Sequence, residues 1–159
     1  EFTHCTISNY WSSYSNRQTQ SVVISNQLLF GSTLYVGDLE KANWNNSIIW
    51  GNLNSEIEFG QNPETMFNYR FDHCLLKLAD SIDVSNSNNF ISLTKNIDPK
   101  FDSTAVYNYV PDSLSPARDL GDRTYGERVP LDLNQVSRLS DAAPDLGAYE
   151  YIFIPKKEK

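Results

Sequence analysis

Two histidines, two cysteines and a dense set of C-terminal carboxylates are the side chains here best equipped for chemistry. His4-Cys5 and His73-Cys74 each set an imidazole beside a thiol, the residue types of an activated nucleophile or a soft-metal ligand set. Glu56 and Glu58, two residues apart, would share a strand face, where a paired-carboxylate glycosidase would need its acids; Ser55-Glu56-Ile57-Glu58-Phe59 fits an exposed alternating strand equally well. Asp119, Asp122, Arg123, Asp132, Arg138, Asp141 and Asp145 offer hard oxygen donors. Calcium is therefore a secondary cofactor reading, but the spacing matches no twelve-residue calcium loop. An Asp–Arg network satisfying loop N–H groups is the structural alternative and is preferred. Tyr10, Trp11, Tyr14 and Trp50 form the other group of interest. Flat rings at a surface stack on sugars or anchor protein interfaces, and the same rings also serve as packing.

The histidine–cysteine pairs belong to a repeat. Phe2-Thr3-His4-Cys5-Thr6-Ile7, Trp44-Asn45-Asn46-Ser47-Ile48-Ile49 and Phe71-Asp72-His73-Cys74-Leu75-Leu76 align without gaps as [FW]-x-[HN]-[CS]-x-[IL], at intervals of 42 and 27 residues. Such a period in a β-rich chain points to stacked parallel rungs. Aromatic and thiol lie at an odd offset, so a chain bend between them would let both point inward. This places His4, Asn46 and His73 at a corner. Asn is a poor base, so its presence in the series argues for a structural role at the corner and against a catalytic one. Stacking also puts Cys5 and Cys74 two rungs apart, ~10 Å, beyond the ~7 Å limit for a disulfide. Free, buried thiols are expected. The 42-residue interval implies a rung carrying an insertion over about 18–36, where Val22-Val23-Ile24 and Leu34-Tyr35-Val36 read as strands flanking Phe30-Gly31-Ser32.

Composition narrows the function classes. The chain has 159 residues and a formal net charge of -7, against a basic nucleic-acid face or attraction to anionic lipid. Asn, Ser, Thr and Tyr are abundant, as in exported turn-rich β proteins. No apolar run approaches the ~18 residues of a transmembrane helix. The chain opens at Glu1-Phe2, with neither Met nor a charged n-region, which reads as a fragment or processed product, or as a trimmed chain.

From residue 97 the pattern changes to loops. Asp98-Pro99-Lys100-Phe101 is followed by Leu114-Ser115-Pro116-Ala117-Arg118-Asp119-Leu120-Gly121, then by Asp132-Leu133 and Arg138, then by Asp145-Leu146-Gly147-Ala148-Tyr149-Glu150. This series resembles the choice-of-anchor Q region that ends right-handed parallel β-helix surface proteins, including exported lipoproteins of Bacteroidetes-type cells. The resemblance implies an all-β fold: parallel β-helix rungs over 1–96, a C-terminal cap over 97–154 with Tyr149 to Phe153 as a late strand, and a tail at 155–159. It maps Asp98, Pro99, Arg118, Asp119, Gly121, Asp132, Arg138, Asp145, Gly147 and Glu150 onto structural cap positions. Relatives carry D-x-x-G-x-x-R where Asp132 to Arg138 here reads D-L-N-Q-V-S-R, so the turn at Gln135 lacks its glycine. The resemblance further implies an outer-membrane or cell-surface location, with any lipid-bearing Cys upstream of Glu1.

The expected function is a non-catalytic surface binding or scaffold module, with polysaccharide or a neighbouring surface protein as partner, as an accessory of a glycan-uptake system. The alternatives are a carbohydrate-active lyase or hydrolase whose cleft lies on upstream rungs, and an adhesin. No catalytic residue and no metal ligand are assigned within the chain.

Overall fold

The computed structural model describes residues 1–11 and 17–153. Tyr14 and the 155–159 tail lie outside them. In chain order the strands are β1 (Phe2–Thr3), β2 (Thr6–Asn9), β3 (Val22–Ser25), β4 (Gln27–Phe30), β5 (Thr33–Val36), β6 (Leu39–Asn45), β7 (Ile48–Gly51), β8 (Ile57–Gly60), β9 (Phe67–Asp72), β10 (Leu75–Leu76), β11 (Phe90–Ile91), β12 (Thr94–Lys95), β13 (Phe101–Ser103) and β14 (Asn108–Pro111), followed by a single-turn-scale helix α1 (Arg123–Arg128).

The repeat sets the register. In the parallel sheet β1-β6-β9-β11, Phe2 pairs with Trp44, Trp44 with Phe71, and Phe71 with Phe90. Their rings stack at 4.0, 6.1 and 5.8 Å. In the second parallel sheet, β12-β10-β7-β2, Ile49 faces Ile7 and Leu76. The corner between the sheets is made by His4, Asn46, His73 and Ser92, all at φ of 45–53°. A left-handed residue turns the chain sharply, and Asn accepts that conformation with little strain. Both cysteines are free. The Cys74 thiol is buried and donates to Trp44 O and Asp72 O; burial pushes it up to about 12, which leaves it inert.

The chain is all-β, but the expected right-handed parallel β-helix is corrected. The strands form several separate short sheets: two four-stranded parallel sheets, the two-stranded parallel pair β3-β8, and the antiparallel pairs β4-β5 and β13-β14. Among the described residues no sheet closes and no solenoid-like coil is made. Continuous coils need a third ladder running the length of the first two, and here that side has only β3 and β8. The turn-forming stretches at 52–56, 61–66 and 80–89 carry no strand. The late strand expected at Tyr149–Phe153 is also absent; that segment forms no ladder.

Side-chain alternation gives two cores. Ile49, Leu76, Trp44, Phe71 and Phe90 share one. Ile48, Leu75 and Trp50, on the opposite face of their sheet, share the other with Phe101, Ala117 and Leu146. The C-terminal region thus covers the outer face of a sheet, where a lid over a stack's end was expected.

Candidate binding site

Of the expected insertion, Val22–Ser25 joins a parallel ladder with Ile57–Gly60. Only residues 27–36 depart, as the antiparallel hairpin β4-β5. Its turn follows from Gly31, at φ 62° beside Ser32, the arrangement a type II′ turn requires. The hairpin root is held by one side chain. Buried Asn26 donates through Nδ2 to Asn62 O, Thr65 Oγ1 and Met66 O, and accepts from Asn62 N at Oδ1. Its backbone O takes Gly37 N, and its N donates to Gly60 O. Asp38 Oδ1 accepts Met66 N and Thr65 Oγ1 donates to Gly37 O. Ordering a loop this thoroughly costs backbone entropy, yet the segment so fixed buries little of itself.

Leu28, Leu29, Phe30, Leu34, Tyr35 and Val36 are between 40% and 74% exposed. Opposed residues of an antiparallel ladder project to one side. The pairings Gln27↔Val36 and Leu29↔Leu34 give one face; Leu28↔Tyr35 and Phe30↔Thr33 give the other. Each face therefore shows three large apolar side chains to water. An open groove at the root is lined by Leu28, Tyr35, Gln27 and Asp38, among others.

The four aromatics expected to meet a ligand are not brought together. Trp11 is 61% exposed. Trp50 is only 8% exposed, with Lys77 Nζ 5.0 Å above its ring. Tyr10 is half-buried, stacked on Tyr109 at 6.4 Å and edge-on to Phe101. Tyr14 lies outside the described residues. Tyr10, Trp11 and Trp50 therefore form no shared platform of exposed rings.

Both histidines occupy the corner, in different settings. His4 is buried, with Nε2 3.1 Å from Asn46 Nδ2. Burial, aided by the Arg138 charge, lowers it to about 3, so the ring stays neutral. His73 Nδ1 lies 2.7 Å from Asp72 Oδ1, and Asp72 Oδ2 accepts from Tyr125 Oη at 2.8 Å. No local pattern in the sequence announces this carboxylate-held imidazole, because Tyr125 is 53 residues away. It has the orientation of a base, but the adjacent Cys74 points into the core. Glu56 and Glu58 do not pair. Glu56 is fully buried and takes Arg17 Nη2, Ser21 Oγ and Leu53 N, whereas Glu58 is exposed. Burial alone would raise the Glu56 carboxyl, but these donors outweigh it and hold it below its usual value.

The C-terminal acids are spent on the chain itself. Asp145 Oδ1 accepts Asp119 N and Oδ2 accepts Tyr151 N. Asp132 Oδ1 accepts Asn134 N and Val136 N, and its Oδ2 accepts Glu150 N. Arg138, only 2% exposed, donates to Glu150 Oε1 at 2.6 Å and to Ala148 O. Burial pushes Glu150 up to about 7 and raises Asp145 as well. Asp98 Oδ1 accepts Lys100 N, and Pro99 O accepts Ser115 Oγ. Arg118 lies over the Tyr151 ring at 4.1 Å. At Gly121 a Cβ would fall 2.8 Å from Asn46 Nδ2, and Gly147 sits at φ 91°. Among the described residues, no group of three His, Cys, Asp or Glu side chains is placed to hold a metal ion.

Among the described residues no helix is long and apolar enough to cross a membrane. No protein-family model, curated protein or solved structure matches the chain.

Proposed function

We propose that this chain is a non-catalytic binding or scaffold module of an exported surface protein, and that the β4-β5 arm is its docking element. One observation carries the reading: six large apolar side chains stand in water on a hairpin whose root is fixed by a dedicated polar network. Contiguous exposed apolar surface of this kind marks interaction sites. Four of the arm's six exposed apolar side chains, Leu28, Leu29, Leu34 and Val36, are aliphatic, which favours a protein partner over a sugar, since glycan recognition relies on flat rings and polar groups. A glycan contact on the aromatics expected from the sequence would rest on Trp11. The surface location and any role beside a glycan-uptake system belong to the same proposal.

The test uses the intact parent protein in pull-downs and on a glycan array, comparing Leu28→Ser/Tyr35→Ser with Trp11→Ala. The reading expects protein capture to be lost with the first variant and kept with the second. Capture that survives the arm variant, or sugar binding lost only with Trp11→Ala, would overturn it. Hydrolysis of a polysaccharide by the purified chain would establish the enzyme alternative instead.

A further inference from the structure

Resting on the arm as the docking element, we infer that its partner is another protein with an apolar groove and a basic rim, which takes the hairpin in between two walls. Three observations on the molecule lead there.

The first is that both faces are apolar. Leu29, Leu34 and Val36 line one; Leu28, Phe30 and Tyr35 line the other. A flat receptor would cover three side chains and leave three wet. A groove covers all six.

Area points the same way. With ~150–250 Å² for a whole aromatic side chain and somewhat less for an aliphatic one, the six exposed portions amount to roughly 700 Å². That approaches the ~800 Å² per partner of a standard interface, whereas one face alone falls near half of it. A second copy offering the same hairpin face to face would bury too little to hold.

Charge is the third. Residues 27–36 carry none, and neither strand edge is paired to a third strand, so the arm can also donate backbone hydrogen bonds to the groove walls. Around its root stand Asp38 and Glu40, Glu58 opposite Val23, and Glu64 on the loop that anchors Asn26, all exposed. Between Arg17 and Arg70 the only basic residue is Lys41, and it meets Glu1. The rim is therefore acidic, which suits a Lys- or Arg-lined entrance and repels a second copy or an anionic bilayer.

The experiment installs a photo-crosslinking residue at Leu29, at Tyr35, or at exposed Leu133 as a control, in the intact protein on its native cells. The inference expects one protein adduct of the same mass from Leu29 and Tyr35 and none from Leu133. With that partner purified, Glu40→Lys/Glu58→Lys/Glu64→Lys is expected to weaken binding at least fivefold, and affinity is expected to fall with added salt. An adduct from one face only, a self-adduct of twice the chain's mass, a lipid or glycan adduct, or salt-insensitive affinity would overturn the groove while leaving a docking arm. No adduct from either face would overturn the arm itself. Circular dichroism of each variant checks that it is folded.

Discussion

The C-terminal region and the β4-β5 arm invert the usual placement of polar and apolar groups, in opposite senses. Between residues 119 and 150 the chain buries Asp132, Arg138, Asp145 and Glu150. The arm leaves Leu28, Leu29 and Phe30 in water. Both exceptions cost free energy, but the reasons differ. Each buried acid has a backbone N–H to accept, so those charges stand in for the ladder hydrogen bonds that loops lack. The arm's apolar groups have no counterpart within the described residues. A buried charge with its partners complete accounts for itself as architecture, whereas exposed apolar surface on an anchored hairpin calls for something outside the chain.

The largest expected effect would break the first half of that comparison. Above the value of about 7 at which Glu150 ionises, Arg138→Met leaves its carboxylate buried without its cation, a defect that costs about 3–5 kcal/mol. Urea unfolding should show a loss of that size; a loss under 1 kcal/mol would mean the lattice is ornamental. His4 comes next. Its folded value of about 3 lies below the unfolded value of about 6.5. The unfolded chain therefore binds the extra proton first, and the stability is present above pH 6.5 and drains away as pH falls toward 3, by about 5 kcal/mol at most. Glu150 acts in the opposite sense. Raised to about 7, it contributes stability that is complete below its unfolded value and is lost as pH rises through 7. His4→Asn, which places at the corner the residue type already at Asn46, should flatten the acid-side slope in melts recorded from pH 7 to 3. An unchanged slope would assign the acid sensitivity elsewhere.

A smaller effect tests the loop at Asp132–Arg138. Gln135 has a φ of 65°, a left-handed conformation that Gly adopts freely and other residues do not. The turn keeps its left-handed shape without the residue that adopts it freely, because Asp132 Oδ1 clasps Asn134 N and Val136 N on either side. Gln135→Gly should relieve a strain of about 1 kcal/mol, partly offset by greater unfolded-chain entropy. Differential scanning calorimetry should detect a small rise in Tm; a fall would show that the carboxylate alone sets the turn.

The same residues mark what was legible in the sequence. Register was, since Phe2, Trp44 and Phe71 occupy the same place in the repeat and do pair. The corner was too, because an odd offset between two inward residues demands a bend, and His4, Asn46 and His73 make it with positive φ. Closure was not: it depends on a third ladder, and Val22–Ser25 and Ile57–Gly60 carry no repeat that would have shown the ladder stopping at two strands. Alternation puts Trp50 on the sheet face opposite Ile49, but its burial comes from Phe101, Ala117 and Leu146, about 50 to 100 residues away, and periodicity reports direction without reporting what lies there. Asn26 left no signal at all, because its worth lies in four partners on a different loop.

The smallest expected effect on stability sharpens the other half of the comparison. Leu29→Ser/Leu34→Ser replaces a facing pair on one side of the arm. Both side chains are more than half exposed, so little transfer free energy is at stake in the isolated chain, and no cavity can form. Surface changes of this kind fall within about 0.5 kcal/mol. Denaturant unfolding of the purified variant should therefore superimpose on that of the parent, and solubility should rise. Binding should respond differently, because in a complex these two side chains would be desolvated. A variant that folds as well as the parent and captures nothing would separate docking from folding. One that loses several kcal/mol instead would show the arm supporting its own domain, and the contrast between the two regions would dissolve.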